Sequence, residues 1–146
     1  MEIINFTLKN QDNQEVVLSD FLGQYVVLYF YPKDFTPGCT TQACQYQTEI
    51  SKFNQENIKL FGISADSVER HQKFRDKCHL EFDLLSDNQL QLAKQLGAVH
   101  LTRLMAKRKT YVLDPQHRII EVIDDVDPQK DASRVLDIIA KHRRNE

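Results

Sequence analysis

The chain has 146 residues, of which 41% are hydrophobic and 27% are charged, and its formal net charge is −2. We interpret this composition as one globular domain over residues 1–146, and it excludes a disordered or fibrous chain. No clustered excess of Lys and Arg predicts binding to nucleic acid, and no apolar run approaches the ~20 residues that a membrane span requires.

The first 31 residues are predicted to form strands and one short helical turn. Residues 3–8 and 15–18 are predicted strands around a polar turn at residues 10–14. Residues 19–23 have the pattern of a single helical turn that ends at a glycine. Residues 25–31 are apolar, β-branched or aromatic without polar alternation, which is typical of a central strand covered on both faces.

A helix is predicted over residues 39–54, because apolar residues recur there every three or four positions. Residues 58–65 form the next predicted strand. Asp66 and Glu69 have the spacing of a capping box, so a second helix is predicted to begin there and to end near residue 77.

The second half of the chain continues the alternation of strands and helices. A short strand is predicted over residues 82–85 and a helix over residues 88–96. Residues 109–113 and 118–124 are predicted to form a hairpin. A final amphipathic helix starts at Asp131. Its inward-facing residues are Ala132, Val135, Leu136 and Ile139.

This order of elements predicts an α/β fold. Strands that alternate with helices indicate a mostly parallel sheet with helices on its faces. The hairpin near the end adds an antiparallel pair. The expected architecture is therefore a central mixed sheet flanked by helices.

The stretch that carries chemistry lies between the predicted strand at 25–31 and the predicted helix at 39–54. From Tyr31 to Cys44 it reads Tyr-Pro-Lys-Asp-Phe-Thr-Pro-Gly-Cys-Thr-Thr-Gln-Ala-Cys. Cys39 would lie in the first turn of the helix, where unpaired backbone N–H groups and the helix dipole favour thiolate over thiol. Because the thiolate is the nucleophilic form of cysteine, this stretch indicates thiol chemistry.

Cysteine content and the first residues of the chain bear on its compartment. Three cysteines are an odd number and too few for a disulfide framework. The first six residues have neither the basic nor the apolar segment of a secretory signal. We therefore expect a protein of a reducing compartment, the cytoplasm. Cysteine pairs in such compartments tend to be catalytic or redox-active. The five histidines have no metal-ligand spacing, and no metal or cofactor is expected.

Residues 30–44 contain the motif Pro-x-x-x-Thr-x-x-Cys, which strongly resembles that of the peroxiredoxins, thioredoxin-fold enzymes that reduce hydroperoxides through a cysteine. The wider string Phe-Tyr-Pro-Lys-Asp-Phe-Thr-Pro-Gly-Cys-Thr, with Ala-Cys after it, is similar to the bacterioferritin comigratory protein (PrxQ) branch. The similarity extends to residues 60–66, 85–87 and 108–114, so it covers most of the chain. The resemblance implies a thioredoxin-like (peroxiredoxin) fold.

The resemblance also implies roles for five residues. It makes Cys39 the peroxidatic cysteine and Cys44 the resolving cysteine, with Thr36 and Pro32 completing the pocket and Arg108 as the site arginine. Cys39 would become a sulfenic acid, form an intrachain disulfide with Cys44, and be recycled by a thioredoxin-type dithiol. The implied substrates are hydrogen peroxide and organic hydroperoxides, and the branch is often monomeric.

These residue types suit the reaction. Attack by a thiolate on an O–O bond moves negative charge from sulfur to the departing oxygen, and a guanidinium such as Arg108 can stabilise both. The Thr36 hydroxyl can accept a hydrogen bond from the peroxide while it donates to the sulfur or to an oxygen. Pro32 and Pro37 restrict the loop and limit access of water.

Two positions depart from the family pattern. Gln42 stands where many members have an acidic residue. The stretch 99–107 fits the pattern poorly and leads directly to Arg108, so Arg103 is the alternative arginine. Cys78 competes with Cys44 for the resolving role, although its place on the apolar side of its helix favours a core residue.

The spacing of Cys39 and Cys44 has a geometric consequence. Residues five apart in an α-helix have Cα atoms roughly 8 to 9 Å apart, whereas a disulfide needs Cα atoms within about 7 Å. We therefore predict that at least the first turns of this helix unwind in the oxidised form.

Two other functions are compatible with a reactive cysteine. A thioredoxin-like disulfide reductase would normally show Cys-x-x-Cys, whereas four residues separate Cys39 from Cys44. A non-enzymatic redox sensor would use the unwinding of the helix as its signal. Insulin reduction would indicate the first, and slow oxidation without cycling the second.

Overall fold

The computed structural model describes residues 3–145, which form a seven-stranded sheet with helices on both faces. The strands are β1 (Thr7–Lys9), β2 (Glu15–Val17), β3 (Tyr25–Phe30), β4 (Ile58–Ser64), β5 (Asp83–Ser86), β6 (Lys109–Leu113) and β7 (Ile119–Ile123). The helices are α1 (Pro37–Thr48), α2 (Ile50–Gln55), α3 (Val68–Cys78), α4 (Gln91–Leu96) and α5 (Asp131–Arg144), with a 3-10 turn at Leu18–Phe21. None of the helices between residues 3 and 145 is both long and apolar enough to cross a membrane.

The sheet is mixed, with the order β2-β1-β5-β4-β3-β6-β7. Only the β3–β4 and β4–β5 pairings are parallel, and the other pairings are antiparallel. The prediction of a central mixed sheet is confirmed, whereas the prediction of a mostly parallel one is wrong. The physical reason is that two hairpins, β1–β2 and β6–β7, flank the three parallel strands, and a hairpin can only pair its strands antiparallel.

Strand β3 is buried along its whole length, because both of its faces are covered. Tyr25, Val27 and Tyr29 face a core layer built mainly with α1, α2, α3 and α5. Val26 and Leu28 face a second layer that includes α4. This two-sided burial explains the absence of polar alternation in the sequence of the strand. Cys39 belongs to the first layer.

The helix predicted over residues 39–54 is divided in two at Glu49. The Thr48 hydroxyl donates to the Cys44 carbonyl at 2.9 Å, and the Glu49 N–H donates to the Tyr46 carbonyl at 3.1 Å. A bond from a side chain to the carbonyl four residues earlier, or from an N–H to the carbonyl three residues earlier, departs from regular α-helical hydrogen bonding and bends the helix. The first helix also begins two residues earlier than predicted, at Pro37, since proline is favoured at the first helical position.

Other helix and strand boundaries differ from the predicted ones. At two of them a polar side chain accepts hydrogen bonds from nearby backbone N–H groups. The N-cap of α3 is Ser67, whose hydroxyl accepts from the Arg70 N–H at 3.2 Å, so the predicted cap at Asp66 is wrong. Helix α4 begins at Gln91 rather than at residue 88, because the Asp87 carboxylate accepts the backbone N–H groups of its first turn. The first strand is limited to Thr7–Lys9.

Candidate active site

Cys39 lies in the first turn of α1 and is only 1% exposed. Thr36 is the extended N-cap residue of this helix, and Pro37 occupies the first helical position. The Thr40 N–H donates to the Thr36 carbonyl at 2.9 Å, which closes the first turn. A proline at this position has no N–H to satisfy and its φ is already helical. The Thr-Pro-Gly-Cys sequence therefore starts the helix so that the thiol is placed at its N-terminal end.

Arg108 directly precedes β6, and its side chain contacts Cys39. Its Nη2 donates to Cys39 Sγ at 3.4 Å, and its Nη1 donates to Gln42 Oε1 at 2.6 Å. A Cβ atom at Gly38 would come within 2.9 Å of Arg108 Nη2, so the glycine leaves room for this approach. The two ends of one rigid guanidinium fork thus hold a sulfur and an amide oxygen together.

The alternative arginine, Arg103, lies elsewhere. It is exposed, has a left-handed backbone with φ 61°, and its N–H donates to the His100 carbonyl within a turn. It lines a separate surface depression with Lys94, Gly97 and Val99. Of the two candidates, the structure brings Arg108 to Cys39.

Thr36 and Pro32 belong to the loop that precedes α1. The Thr36 hydroxyl donates to the Lys33 carbonyl at 2.8 Å rather than to sulfur. Its proton is therefore used by the loop backbone, and its oxygen keeps acceptor capacity. Pro32 is half-buried where the chain leaves β3.

A buried carboxylate anchors this loop, and sequence reasoning did not single it out. Asp34 is fully buried, and its carboxylate accepts from the Tyr31 hydroxyl at 2.6 Å and pairs with His71 Nδ1 at 2.7 Å. The Asp34 N–H donates to Asp66 Oδ2 at 2.9 Å, and Arg70 Nη2 donates to the Asp34 carbonyl at 3.0 Å. Burial, and next the nearby Asp34, raise the pKa of Tyr31 well above its usual value, so the phenol remains a donor.

Asp34, Asp66 and His71 are the group of potential metal ligands in residues 3–145, with ligand atoms within 4.8 Å of one another. These atoms already have protein partners. His71 Nε2 lies 3.0 Å from the Leu85 carbonyl, and Asp66 Oδ2 accepts from the Ser64 hydroxyl at 2.5 Å. Both nitrogens of His71 thus face oxygen atoms of the protein, Asp34 Oδ2 and the Leu85 carbonyl. We interpret the cluster as a hydrogen-bond network under the loop.

Phe35 supports the same loop from outside. Its φ of 70° is uncommon for an aromatic residue. Its ring packs edge-on against Phe74 with centroids 5.2 Å apart, and the Arg70 guanidinium lies 5.1 Å from its centroid. These contacts hold the loop in a conformation that its sequence alone does not favour.

A second buried carboxylate, Asp131, lies behind Arg108. Its Oδ2 accepts from the Tyr46 hydroxyl at 2.5 Å, from Gln42 Nε2 at 3.1 Å and from the Thr110 hydroxyl at 2.7 Å. Burial, and next Asp131 itself, raise the pKa of Tyr46 well above its usual value, so Tyr46 stays protonated as a donor. From the sequence, Asp131 was only the start of the last helix.

Tyr29 fills the space between these groups. Its ring stacks on Tyr46 with centroids 4.5 Å apart, and its buried hydroxyl has no hydrogen-bond partner within the described residues. Burial, followed by the charges of Asp34 and Cys39, raises the pKa of Tyr29 well above its usual value. The residue is therefore a neutral phenol beside the thiol.

The other two cysteines lie close together, Cys44 on α1 and Cys78 at the end of α3. All three cysteines are unpaired thiols, with Cys44 exposed and Cys78 half-buried at the end of α3. Cys78 packs against the main core but is only partly buried, so it is not the core residue that its place on the helix favoured. Burial, and next the adjacent Cys44, raise the pKa of the Cys78 thiol. Cys78 is therefore a weaker nucleophile at neutral pH than an unperturbed thiol.

The family model described as "AhpC/TSA family" matches residues 1–122. The chain is 40% identical over 138 residues to "Peroxiredoxin Q, chloroplastic" of Oryza sativa subsp. japonica, covering 92% of this chain and 63% of the rice protein. It is 36% identical over 143 residues to "Peroxiredoxin Bcp" of Escherichia coli K12, covering 94% of this chain and 92% of that one. It therefore spans less than two thirds of the rice protein but nearly all of the bacterial one.

The fold is likewise similar to solved structures. A cysteine-to-serine mutant of PrxQ from Xylella fastidiosa superposes with a TM-score of 0.89 and 32% identity, over 97% of this chain and 91% of that one. This similarity confirms the predicted thioredoxin-like fold with a mixed sheet.

Proposed function

Since this chain belongs to the AhpC/TSA family, in its peroxiredoxin Q/Bcp branch, we propose that it is a thiol-dependent peroxidase in which Cys39 attacks hydroperoxides. The proposal extends to hydrogen peroxide and organic hydroperoxides as substrates. The observation that carries it is the 3.4 Å contact between Arg108 Nη2 and Cys39 Sγ at the start of a helix. A permanent cation and unpaired helix N–H groups at one sulfur both stabilise a thiolate.

The chemistry follows from this arrangement. The Cys39 thiolate attacks the terminal oxygen of the peroxide, an S–O bond forms, and the O–O bond breaks. The departing oxygen takes up a proton and leaves as water or an alcohol, while the sulfur becomes a sulfenic acid. Arg108 is placed to stabilise the charge on sulfur and then on the departing oxygen. The Thr36 oxygen keeps the capacity to accept the hydrogen bond of the peroxide.

We propose Cys44 as the resolving cysteine. Its thiolate attacks the sulfenic sulfur of Cys39, the S–O bond breaks, and an intrachain disulfide forms. The hydroxide that leaves takes up a proton and becomes water. The raised pKa of Cys78 makes that thiol the poorer attacker at neutral pH, and Cys44 is the more exposed of the two. A thioredoxin-type dithiol would then reduce the disulfide by two exchange steps.

The burial of Cys39 argues against the disulfide reductase function. A disulfide reductase must bring its thiol into contact with the disulfide of another protein, and a thiol that is 1% exposed does not offer such contact. A hydroperoxide is a small molecule and requires no such contact with a second protein. The same chain supplies every residue of the proposed site, so we propose that the protein works as a monomer. We also propose a reducing compartment such as the cytoplasm as its location, because reactive free cysteines are typical of such compartments.

The test is to add one equivalent of hydrogen peroxide to the fully reduced protein and to map the product by peptide mass spectrometry. We expect a rapid Cys39–Cys44 disulfide, with Cys78 left as a thiol. A Cys78→Ser variant, as the matched control, should give the same product at the same rate.

Other products would change the proposal in defined ways. A Cys39–Cys78 link would retain the peroxidase but would transfer the resolving role from Cys44. If Cys39 remained a thiol after treatment, the peroxidase function would be wrong.

A further inference from the structure

We propose that Asp131 is a positioning residue that acts through Gln42 to hold Arg108 against Cys39. The carboxylate that orients the site arginine would then belong to α5, and the α1 residue between them would be a neutral relay. The inference rests on the proposed thiol chemistry of Cys39.

The contacts form one continuous line. Gln42 Nε2 donates to Asp131 Oδ2 at 3.1 Å, and Arg108 Nη1 donates to Gln42 Oε1 at 2.6 Å. The other end of the same guanidinium donates to Cys39 Sγ at 3.4 Å. Gln42 and Asp131 are 0% and 1% exposed, so water does not compete for these bonds.

The orientation of the Gln42 amide is fixed by its two partners. A guanidinium only donates and an ionised carboxylate only accepts, so the amide must direct its oxygen to Arg108 and its nitrogen to Asp131. If the carboxylate were replaced by an amide, the opposite orientation of Gln42 would also be satisfied at that end. It would then present N–H groups to the guanidinium, which has no acceptor. Asp131 therefore reinforces, from the other end of the amide, the orientation in which Arg108 is held.

Asp131 is itself held in place from two other elements. The Tyr46 hydroxyl of α1 and the Thr110 hydroxyl of β6 both donate to the same Oδ2, at 2.5 and 2.7 Å. The titratable groups that face Cys39 or Asp131 from neighbouring elements include Arg108, Tyr29 and Tyr46. Burial raises the pKa of both tyrosines, so both are neutral at physiological pH. Arg108 is then the cation that lies between Cys39 and Asp131.

This arrangement predicts that only one of the two positions, 42 or 131, can carry a carboxylate. A glutamate at position 42 would bring a second carboxylate into hydrogen-bonding distance of Asp131, and two buried like charges at that distance repel strongly. A glutamate at 42 together with an asparagine at 131 restores a donor–acceptor pair and keeps a single carboxylate, now directly on Arg108. The two positions should therefore compensate for each other.

The experiment measures the rate of alkylation of Cys39 by iodoacetamide against pH, resolved from Cys44 and Cys78 by peptide mass spectrometry of the full reduced chain. The variants are Asp131→Asn, Gln42→Glu and the double variant, each with a thermal melt. Asp137→Asn is the matched control, because Asp137 is an exposed carboxylate on the same helix. Hydrogen peroxide consumption is measured in parallel.

We expect Asp131→Asn to move the pH midpoint of Cys39 alkylation upwards by about one unit, a tenfold loss of reactive thiolate below the midpoint. Gln42→Glu alone should lower the melting temperature, and the double variant should return both values towards those of the unmodified chain. Asp137→Asn should leave the midpoint unchanged.

An unchanged midpoint in Asp131→Asn would overturn the proposal. So would a shift that the double variant does not reverse, because a purely structural role predicts that two changes are worse than one. If Asp131→Asn does not fold, Gln42→Met, which removes the relay but keeps Asp131 with Tyr46 and Thr110, must show the same upward shift. If the protein fails to consume peroxide while the alkylation results hold, the proposed function falls and the role of Asp131 stands.

Discussion

At the scale of single residues, the site depends on a group that can donate in two directions at once. Arg108 bonds Gln42 through Nη1 and Cys39 through Nη2. The planar guanidinium fixes the angle between these donors, whereas a lysine ammonium is a point charge on a flexible stem. Charge alone is therefore not sufficient at this position.

We predict that Arg108→Lys lowers kcat/KM for hydrogen peroxide by about 100-fold or more, the size expected when one aligned donor to the reacting charge is removed. Lysine keeps the positive charge but cannot hold Gln42 and Cys39 together. Stopped-flow measurement of peroxide consumption checks this result. Arg103→Lys is the matched control and should retain full activity, since Arg103 lies in an exposed turn. Equal losses in both variants would contradict the assignment.

At the scale of the element, α1 cannot remain intact if the proposed Cys39–Cys44 disulfide forms. Cys39 and Cys44 both lie within Pro37–Thr48, which is continuous helix. Their separation in a regular helix exceeds the reach of a disulfide. The break at Glu49 separates α2 from the unwinding of α1, because α2 begins as an independent helix after Glu49. The disulfide would thus act on one helix and spare its neighbour.

We predict that oxidation with one equivalent of peroxide accelerates amide hydrogen exchange in the first turns of α1, including residues 39–44, by removing their helical hydrogen bonds. Exchange in α2 and in β3 should accelerate much less, because these segments keep their hydrogen bonds and follow only the overall loss of stability, so they serve as internal references. Hydrogen exchange with mass spectrometry of the reduced and oxidised forms checks this. Protection that is the same in both forms would show that the helix does not unwind.

At the scale of the whole molecule, α1 is part of the main core rather than an appendage. Cys39, Ala43 and Tyr46 pack in the same layer as β3 and α5. Gln42 also supplies partners to the buried Asp131 and to Arg108. Unwinding the first turns of α1 therefore removes core contacts and leaves buried polar groups without partners.

We predict that the oxidised protein melts about 3 °C or more below the reduced protein, since each kcal/mol corresponds to ~2–4 °C in a chain of this size. Each buried polar group that loses its partner costs about 1–3 kcal/mol, while closing so short a loop adds only about 2 kcal/mol. Calorimetry of both forms checks the sign. Cys78→Ser should show the same decrease. A higher melting temperature after oxidation would identify the disulfide as a structural staple.

Much of the fold and part of the site were determined by the sequence itself. Local patterns located the buried strand Tyr25–Phe30, the start of the reactive helix near Cys39 and the final hairpin, because burial and turn chemistry are written in neighbouring residues. The motif around Cys39 also predicted which cysteine would lie at a helix N-terminus. These features depend on short-range spacing, which a linear sequence records directly.

Only the tertiary structure decided which distant groups meet. Arg108 rather than Arg103 reaches Cys39, His71 anchors Asp34, and Asp131 approaches Gln42, although these pairs lie 69, 37 and 89 positions apart in the sequence. No local pattern encodes such pairs, because they are brought together by the order of the strands and by the packing of α3 and α5 on the sheet. The polar partners of a buried site are set by that packing, since most buried donors and acceptors find their hydrogen-bond partners within it.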